Sequence, residues 1–304
     1  MDLSNIKEIH IEPTSLCNAE CPQCARNILG TGLNPNIQLG SLSIDWFKET
    51  FTRDNIANID KIFFCGNVGD PCATPDLLKI VAYLKSIKSN IVLGANTNGS
   101  LKTTLWFKEL GYMLNGHLDY LVFSIDGLED TNHIYRKNTN WSKIMENAEA
   151  YISTGASAHW DMLVFKHNRH QIDSAQQLAQ QMGFRWFRSK STDRWDIYPM
   201  GELEPAGLYE KPNYQTTKPE CEKNRDSSMF IDYTGKVWPC CHMAEAYLNT
   251  IGQELHTDIK HFSNTELMTE YQHRLNSRPF YICHRACGST SGKRSQWKQE
   301  IQLS

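Results

Sequence analysis

Apolar and polar positions alternate with two different periods through the first two-thirds of the chain. A period of two over residues 6–11 and a short apolar run over 61–65 predict strands, whereas apolar residues at helical spacing over 76–87 and 171–182 predict helices. The full predicted series is strand 6–11, helix 44–51, strand 61–65, helix 76–87, strand 91–95, helix 104–114, strand 120–125, helix 141–152, strand 160–165, helix 171–182 and a sixth strand that begins within 184–187. Regular alternation of strands and helices is typical of an α/β fold with parallel strands and right-handed crossovers.

This regular pattern ends near residue 190. Residues 191–220 contain Pro199, Pro205, Pro212 and Pro219 with little periodicity, which indicates a linker or covering loop. Residues 221–304 hold half of the ten cysteines, and residues 229–241 read as a β-hairpin that ends at Cys240. We therefore predict a strand–helix domain over 1–190, a linker over 191–220 and a small cysteine-rich domain over 221–304.

Composition narrows the class of protein. A chain of 304 residues with 40% hydrophobic and 21% charged residues is typical of a globular protein with a large core. The net charge of −3 makes a nucleic-acid substrate unlikely and gives no pull toward an anionic membrane. We expect no membrane span and no signal peptide, and hence a cytoplasmic location. Ten cysteines in such a setting favour metal ligation over disulfides.

Three cysteines follow the first predicted strand directly. Cys17, Cys21 and Cys24 form a C-x3-C-x2-C run, and three thiolates this close can hold three irons of a [4Fe–4S] cluster and leave the fourth iron open. A zinc site would need a fourth ligand, for which His10 is the nearest candidate, and reactive or structural thiols are the remaining alternative.

The C-x3-C-x2-C spacing resembles the signature of the radical SAM superfamily, in which S-adenosylmethionine (SAM) occupies the open iron. Gln23 departs from the family pattern, which usually has an aromatic residue before the third cysteine. The resemblance implies a partial (β/α)6 TIM-like barrel. In such parallel folds the active site lies at the C-terminal ends of the strands.

Two loops after the predicted strands resemble SAM-binding motifs of that family, and a third is a further candidate. The run after the second strand is similar to the Gly-Gly-Glu-Pro motif, altered here to Gly-Asp-Pro, and a polar loop after the third strand would lie over the ribose. A Ser-x-Asp-Gly…Arg pattern after the fourth strand implies carboxylate binding, although an ordinary turn and a solvated arginine are the alternatives for the last two motifs. The residues expected to bind SAM are Gly66, Gly69, Asp70, Pro71, Asn98, Ser124 and Arg136.

Two further cysteines in the first domain are interpreted differently. Cys65 is expected to be a buried apolar residue. Cys72 follows the Gly-Asp-Pro run, so its thiol is a candidate catalytic donor of a hydrogen atom to a substrate radical.

The C-terminal cysteines resemble the opening pattern of the SPASM domain and its shortened Twitch form, which carry auxiliary clusters. The implied ligands of a second [4Fe–4S] cluster are Cys221, Cys240, Cys283 and Cys287. Cys241 can replace Cys240, and a structural zinc with His242 or His284 is the alternative.

Together these resemblances imply an enzyme that cleaves SAM reductively and uses the 5′-deoxyadenosyl radical to abstract hydrogen from a small or medium-sized polar substrate. The auxiliary cluster would assist oxidation or substrate binding, and a donor such as flavodoxin or ferredoxin would supply electrons. A peptide-modifying maturase is the alternative within the family. A non-catalytic iron–sulfur or zinc protein that binds a partner is the alternative outside it.

Overall fold

The computed structural model describes residues 6–192, 194, 201–205, 219, 221, 227–248, 264–274, 277–287 and 297–303. These residues build one nine-stranded sheet in the order β8-β7-β1-β2-β3-β4-β5-β6-β9. The strands are β1 (Glu8–Ile11), β2 (Lys61–Phe64), β3 (Val92–Thr97), β4 (Tyr120–Ser124), β5 (Ala158–Val164), β6 (Trp186–Ser191), β7 (Ser228–Ile231), β8 (Val237–Trp238) and β9 (Trp297–Gln302).

Helices connect the strands in the first part of the chain. They are α1 (Ile44–Thr50), α2 (Arg53–Ile56), α3 (Leu77–Ile87), α4 (Thr104–Met113), α5 (Asn132–Tyr135), α6 (Trp141–Ile152) and α7 (Ile172–Met182). The C-terminal part adds α8 (Cys241–Leu248), α9 (Asn264–Arg274) and α10 (Tyr281–Cys287). Among the described residues, no helix is both long and apolar enough to cross a membrane.

Strands β1 to β6 pair in chain order, and every one of these pairs is parallel. This confirms the predicted α/β fold of the partial-barrel type, with six parallel strands and helices in the connections between them. The observed bounds differ from the predicted ones by only a few residues, as at β3, which continues to Thr97. Because the strands are parallel, the loops that follow them all emerge at one edge of the sheet.

Local signals explain where several helices begin and end. Side-chain oxygens of Ser43, Thr52, Thr103 and Asn140 accept hydrogen bonds from backbone N–H groups in the first turns of α1, α2, α4 and α6. Gly183 ends α7 at φ +87°, a left-handed conformation that glycine adopts without strain.

The main apolar core lies between the sheet and its helices. Trp160 is completely buried there against Phe184 and Phe187, and its indole N–H donates to the carbonyl of Ile125 at 2.9 Å. Burial alternates along β5, so Trp160 and its even-numbered neighbours face this core. The odd-numbered positions, including Asp161, face the other side of the sheet.

The C-terminal part of the chain extends the same sheet at both edges. Strand β7 pairs parallel with β1, β8 returns antiparallel to β7 as the predicted hairpin, and β9 pairs antiparallel with β6. Most of the predicted linker lies outside the described residues, and the domain boundaries at 190 and 220 stay predictions. A second apolar cluster, which includes Trp238, Met243 and Tyr271, packs between the C-terminal part and the end of β2.

Candidate active site

A pocket of about 280 Å³ lies where the loops after β1 to β4 meet the strands β5 and β6. Cys17, Cys21 and Cys24 all line it, together with the glycine loop after β2, which comprises residues 66–71. The C-terminal part contributes His242 of α8. The pocket therefore brings the predicted cysteine triad and the predicted cofactor loops into one place.

Each sulfur atom of the triad contacts a different loop. The contacts are Cys17 Sγ with Asn98 Nδ2 at 3.7 Å, Cys21 Sγ with Arg136 Nη1 at 3.8 Å, and Cys24 Sγ with the carbonyl oxygen of Asn67 at 3.5 Å. The backbone N–H of Ala19 also points at Cys17 Sγ at 3.3 Å. N–H groups aimed at sulfur suit thiolates that bind a metal, because such donors orient and stabilise ligands.

Burial decides the charge state of these thiols. It raises the pKa of Cys17 and Cys24, and it raises the pKa of Cys21 to about 11 against the opposing charge of Arg136. Such thiols stay protonated at neutral pH unless a cation binds them, and bound metal ions deprotonate a coordinating thiol. The donor set thus fits a metal group.

Single-ion and cluster sites make different demands on the sulfur atoms. In the described part of the chain, no three Cys, His, Asp or Glu side chains are placed to hold one metal ion. A [4Fe–4S] cluster instead binds each thiolate through a separate iron atom.

The glycine loop folds back onto the end of β1. A Cβ atom at Gly69 would lie 1.9 Å from the carbonyl oxygen of Thr14, and one at Gly66 would lie 2.8 Å from the carbonyl oxygen of Gly69. Neither position accepts a side chain, so both glycines are explained by close backbone approach.

Glu12, the residue after β1, connects that strand to the glycine loop by hydrogen bonds. Its Oε1 accepts hydrogen bonds from the backbone N–H groups of Val68 and Gly69, the latter at 3.1 Å. Burial, reinforced by the nearby carboxylates of Asp232 and Glu245, raises the pKa of Glu12 to about 8. Glu12 stands directly before the cysteine triad in sequence, but sequence reasoning assigned it no role.

Asp70 joins the glycine loop to the loop after β3. Its carboxylate accepts from the backbone N–H of Cys72 at 2.9 Å and from that of Asn98 at 2.7 Å, and it starts the short 3-10 turn Pro71–Ala73. Burial raises the pKa of Asp70 despite these hydrogen bonds. Asp70 lines the pocket as predicted, and its carboxylate also braces two loops.

The other predicted SAM-binding residues also line the pocket. Asn98 lies over the triad and donates to Asn18 Oδ1 at 2.9 Å as well as pointing at Cys17. Ser124 ends β4, and Arg136 follows α5. The structure thus collects the seven predicted SAM-binding residues, while their roles stay predictions.

The predicted position of Cys72 is corrected by the structure. Its side chain is completely buried in the main apolar core, it interacts with Thr97, and it is not among the residues that line the pocket. The short turn after Asp70 directs this side chain away from the pocket. Cys65 is buried in the second apolar cluster, as its interpretation as an apolar residue requires.

The C-terminal cysteines gather beside the second apolar cluster. The thiol of Cys221 and the hydroxyl of Tyr271 are 2.9 Å apart. Burial raises the pKa of Cys240, and the thiols of Cys241, Cys283 and Cys287 raise it further. Burial raises the pKa of Tyr271, and the neighbouring thiols of Cys221, Cys240 and Cys283 raise it further. These contacts bring the predicted auxiliary ligands together.

Several pocket residues lie outside the predicted set of SAM-binding residues and cysteine ligands. Among them are Asp126, Asp161, Lys190, Arg194 and His242. Asp161 on β5 and Lys190 on β6 stand at positions that alternate with buried core residues. The period of two along each strand therefore indicates that both face away from the main core. Gln23, the residue that departs from the family pattern, is buried and accepts from Thr192 Oγ1 at 2.9 Å.

Replacing Glu12 with Gln should remove one source of pH dependence. The pKa of Glu12 lies above the ordinary value of 4.5, so the folded protein keeps a proton that the unfolded chain loses. Between about pH 5 and pH 8 the wild-type free energy of unfolding should therefore fall, relative to Glu12→Gln, by up to about 1.4 kcal/mol per pH unit. Urea unfolding at several pH values measures this difference, and equal pH dependence in both proteins would contradict the buried neutral carboxyl.

A curated protein and two solved structures are similar to this chain. A curated protein of Pyrococcus furiosus, the tungsten-containing aldehyde ferredoxin oxidoreductase cofactor-modifying protein, is 24% identical over 289 residues, which cover 85% of this chain and 78% of that protein. The crystal structure of Streptococcus suis SuiB bound to its precursor peptide SuiA covers 96% of this chain and 69% of SuiB, with 13% identity and a TM-score of 0.59. The native structure of anSMEcpe with bound AdoMet covers 91% and 94% of the two chains, with 14% identity and a TM-score of 0.53.

These two structures share the fold of the chain. Residues 11–178, more than half of the sequence, match the profile described as the Radical SAM superfamily. The chain therefore belongs to the radical SAM superfamily, and it is a radical SAM enzyme that uses S-adenosylmethionine and a [4Fe–4S] cluster.

Proposed function

We propose that Cys17, Cys21 and Cys24 hold the [4Fe–4S] cluster and that the surrounding loops hold SAM against its open iron. The enzyme then abstracts hydrogen from a small or medium-sized polar substrate. Cys221, Cys240, Cys283 and Cys287 hold an auxiliary [4Fe–4S] cluster. The observation that carries the proposal is the convergence of three cysteine sulfur atoms with three separate loops in one pocket.

The cofactors supply the radical chemistry, and the protein positions it. When bound, the cluster would supply the one-electron reduction that cleaves SAM, and the cleaved cofactor would supply hydrogen abstraction at the substrate. Peptide groups of the glycine loop would bind the amino group of SAM, and Ser124 and Arg136 would bind its carboxylate. A guanidinium suits a carboxylate because its donors form a planar fork.

Substrate chemistry is indicated by the pocket residues outside the predicted SAM-binding set. Among them are Asp161, Lys190, Arg194 and His242, so the substrate meets charged and polar groups with few apolar ones. Arg188 holds Asp161 with a 2.6 Å hydrogen bond, and Glu245 holds Arg194 at 3.1 Å. This set favours a polar substrate with charged groups of its own.

A peptide substrate is the second candidate within the family. SuiB, which shares the fold, was solved with a precursor peptide. The curated Pyrococcus furiosus relative is named for modifying a cofactor. The polar pocket wall favours the small-molecule class, and membership of an enzyme superfamily removes the non-catalytic alternative.

An electron donor such as flavodoxin or ferredoxin would complete the reaction, because the cluster must be reduced before each cleavage of SAM. The auxiliary cluster, once bound, would supply a one-electron acceptor or a wall for substrate. Helix α8 supports a position of the auxiliary cluster near the pocket, since the helix starts at Cys241 and its next residue, His242, lines the pocket.

Replacing Cys17, Cys21 and Cys24 together with Ala should abolish SAM cleavage, because alanine offers no ligand to iron. The wild-type protein, reduced with dithionite under anaerobic conditions, should convert SAM into 5′-deoxyadenosine and methionine. Liquid chromatography with mass spectrometry measures both products.

The matched control is Cys72→Ala, which removes a thiol that is buried close in sequence to the glycine loop but does not line the pocket. This variant should keep SAM cleavage near the wild-type rate. Formation of 5′-deoxyadenosine by the triple variant above background would show that the radical cluster lies elsewhere, and the proposal would fail.

Replacing Cys283 and Cys287 with Ala should remove the auxiliary cluster and leave the barrel cluster. We expect the iron content after reconstitution to fall from about eight to about four per chain, with SAM cleavage retained. Circular dichroism must first show an unchanged fold, because a bound cluster also stabilises a small domain. Four irons with one zinc in the wild type, or an unchanged iron content in the variant, would contradict the assignment.

A further inference from the structure

Arg136 makes two contacts that do not involve a SAM carboxylate. Its Nε donates to Asp126 Oδ2 at 2.6 Å, while its Nη1 lies 3.8 Å from Cys21 Sγ. The arginine side chain is 18% exposed and the aspartate side chain is fully buried. A guanidinium therefore sits, mostly shielded from solvent, between a buried carboxylate and a sulfur atom of the cysteine triad.

Asp126 is itself held in place by the backbone. Its Oδ1 accepts from the N–H of Leu163 at 2.6 Å, and its own N–H donates to Asn132 Oδ1 at 2.9 Å. Because both ends of the residue are fixed, the carboxylate sets the direction of the arginine fork. Asp126 is thus a positioning residue that keeps the guanidinium pointed at Cys21.

Charge and hydrogen bonds at the sulfur ligands are among the factors that set the reduction potential of an iron–sulfur cluster. Reduction adds an electron, so a nearby positive charge favours the reduced form, and the effect is strong where solvent is excluded.

We propose that Arg136, held by Asp126, raises the reduction potential of the barrel cluster through Cys21 and so makes the cluster easier to reduce before SAM binds. The inference rests on the proposed function, because it takes Cys21 as a cluster ligand. It adds a redox role to a residue that the family resemblance assigns only to carboxylate binding. The Nη2 group has no part in the two contacts above, so the two roles are compatible on one side chain.

The test is a redox titration followed by electron paramagnetic resonance (EPR), on full-length protein without SAM. The barrel-cluster signal is the one that the Cys17, Cys21 and Cys24 triple variant lacks. Arg136→Gln should lower the equilibrium constant for reduction at least tenfold, which for one electron is a shift of about 59 mV to more negative potential.

Arg136→Gln leaves the buried carboxylate of Asp126 without its partner, which is costly for folding. A second variant, Asp126→Asn with Arg136→Gln, removes both charges and keeps an oxygen for the N–H of Leu163. Its equilibrium constant should still fall at least threefold, because the lost positive charge lies nearer the sulfur than the lost negative charge.

The matched control is Lys190→Gln, which removes a positive charge from the same pocket. In the wild type the charge of Lys190 interacts with the carboxylate of Asp161. Its equilibrium constant should stay within threefold of wild type. A wild-type value in the double variant, an equal shift in the Lys190 control, or loss of the cluster from the folded double variant would overturn the proposal. Weaker SAM binding with an unchanged potential would also overturn it, as Arg136 would then serve only the carboxylate.

These outcomes are separate from the test of the proposed function. If the wild-type protein shows no triad-dependent cluster signal, the ligand assignment itself fails. If that signal is present and SAM is cleaved while the potential ignores Arg136, only the redox role fails.

Discussion

The close approach of two backbone segments underlies the whole site. The turn after β1 carries the cysteine triad, and the glycine loop after β2 packs against it so tightly that Gly69 has no room for a Cβ atom beside Thr14. Glu12 holds the two segments together through the backbone of the glycine loop. Because the two segments are packed together, Cys24 Sγ contacts the carbonyl oxygen of Asn67. The loops after β3 and β4 then supply the contacts to the other two sulfur atoms.

The C-terminal part is attached to the same assembly by polar contacts along α8. Asn67 of the glycine loop donates to the carbonyl of Cys241 at 3.2 Å, at the start of this helix. Asn34 donates to the carbonyl of Leu248 at 3.1 Å, at its end. These contacts, together with the parallel pairing of β7 with β1, set the C-terminal cysteines close to the barrel site. A cofactor bound there would lie beside the pocket that His242 lines.

Much of the architecture could be predicted from the sequence because its signals are local. Strand and helix periods give the six units, and the spacing of three cysteines gives the metal chemistry. The attachment of β7 to β1 could not be predicted, since strand pairing across more than 200 residues leaves no local pattern. Cys72 was misplaced because proximity in sequence to the Gly-Asp-Pro run does not determine where a side chain in a tight turn points. The contacts of Glu12 and Asp126 could be seen only in the fold, because each carboxyl group accepts from a backbone N–H group distant in sequence.

The central claim is that the cysteine triad holds a cluster with an open iron for SAM, beside a second cluster that has none. EPR spectroscopy of the reduced full-length protein, recorded with and without SAM, tests this claim most directly. The account predicts two [4Fe–4S] signals, of which one changes when SAM is added and the other does not. A spectrum in which no signal responds to SAM, or in which every signal does, would contradict it.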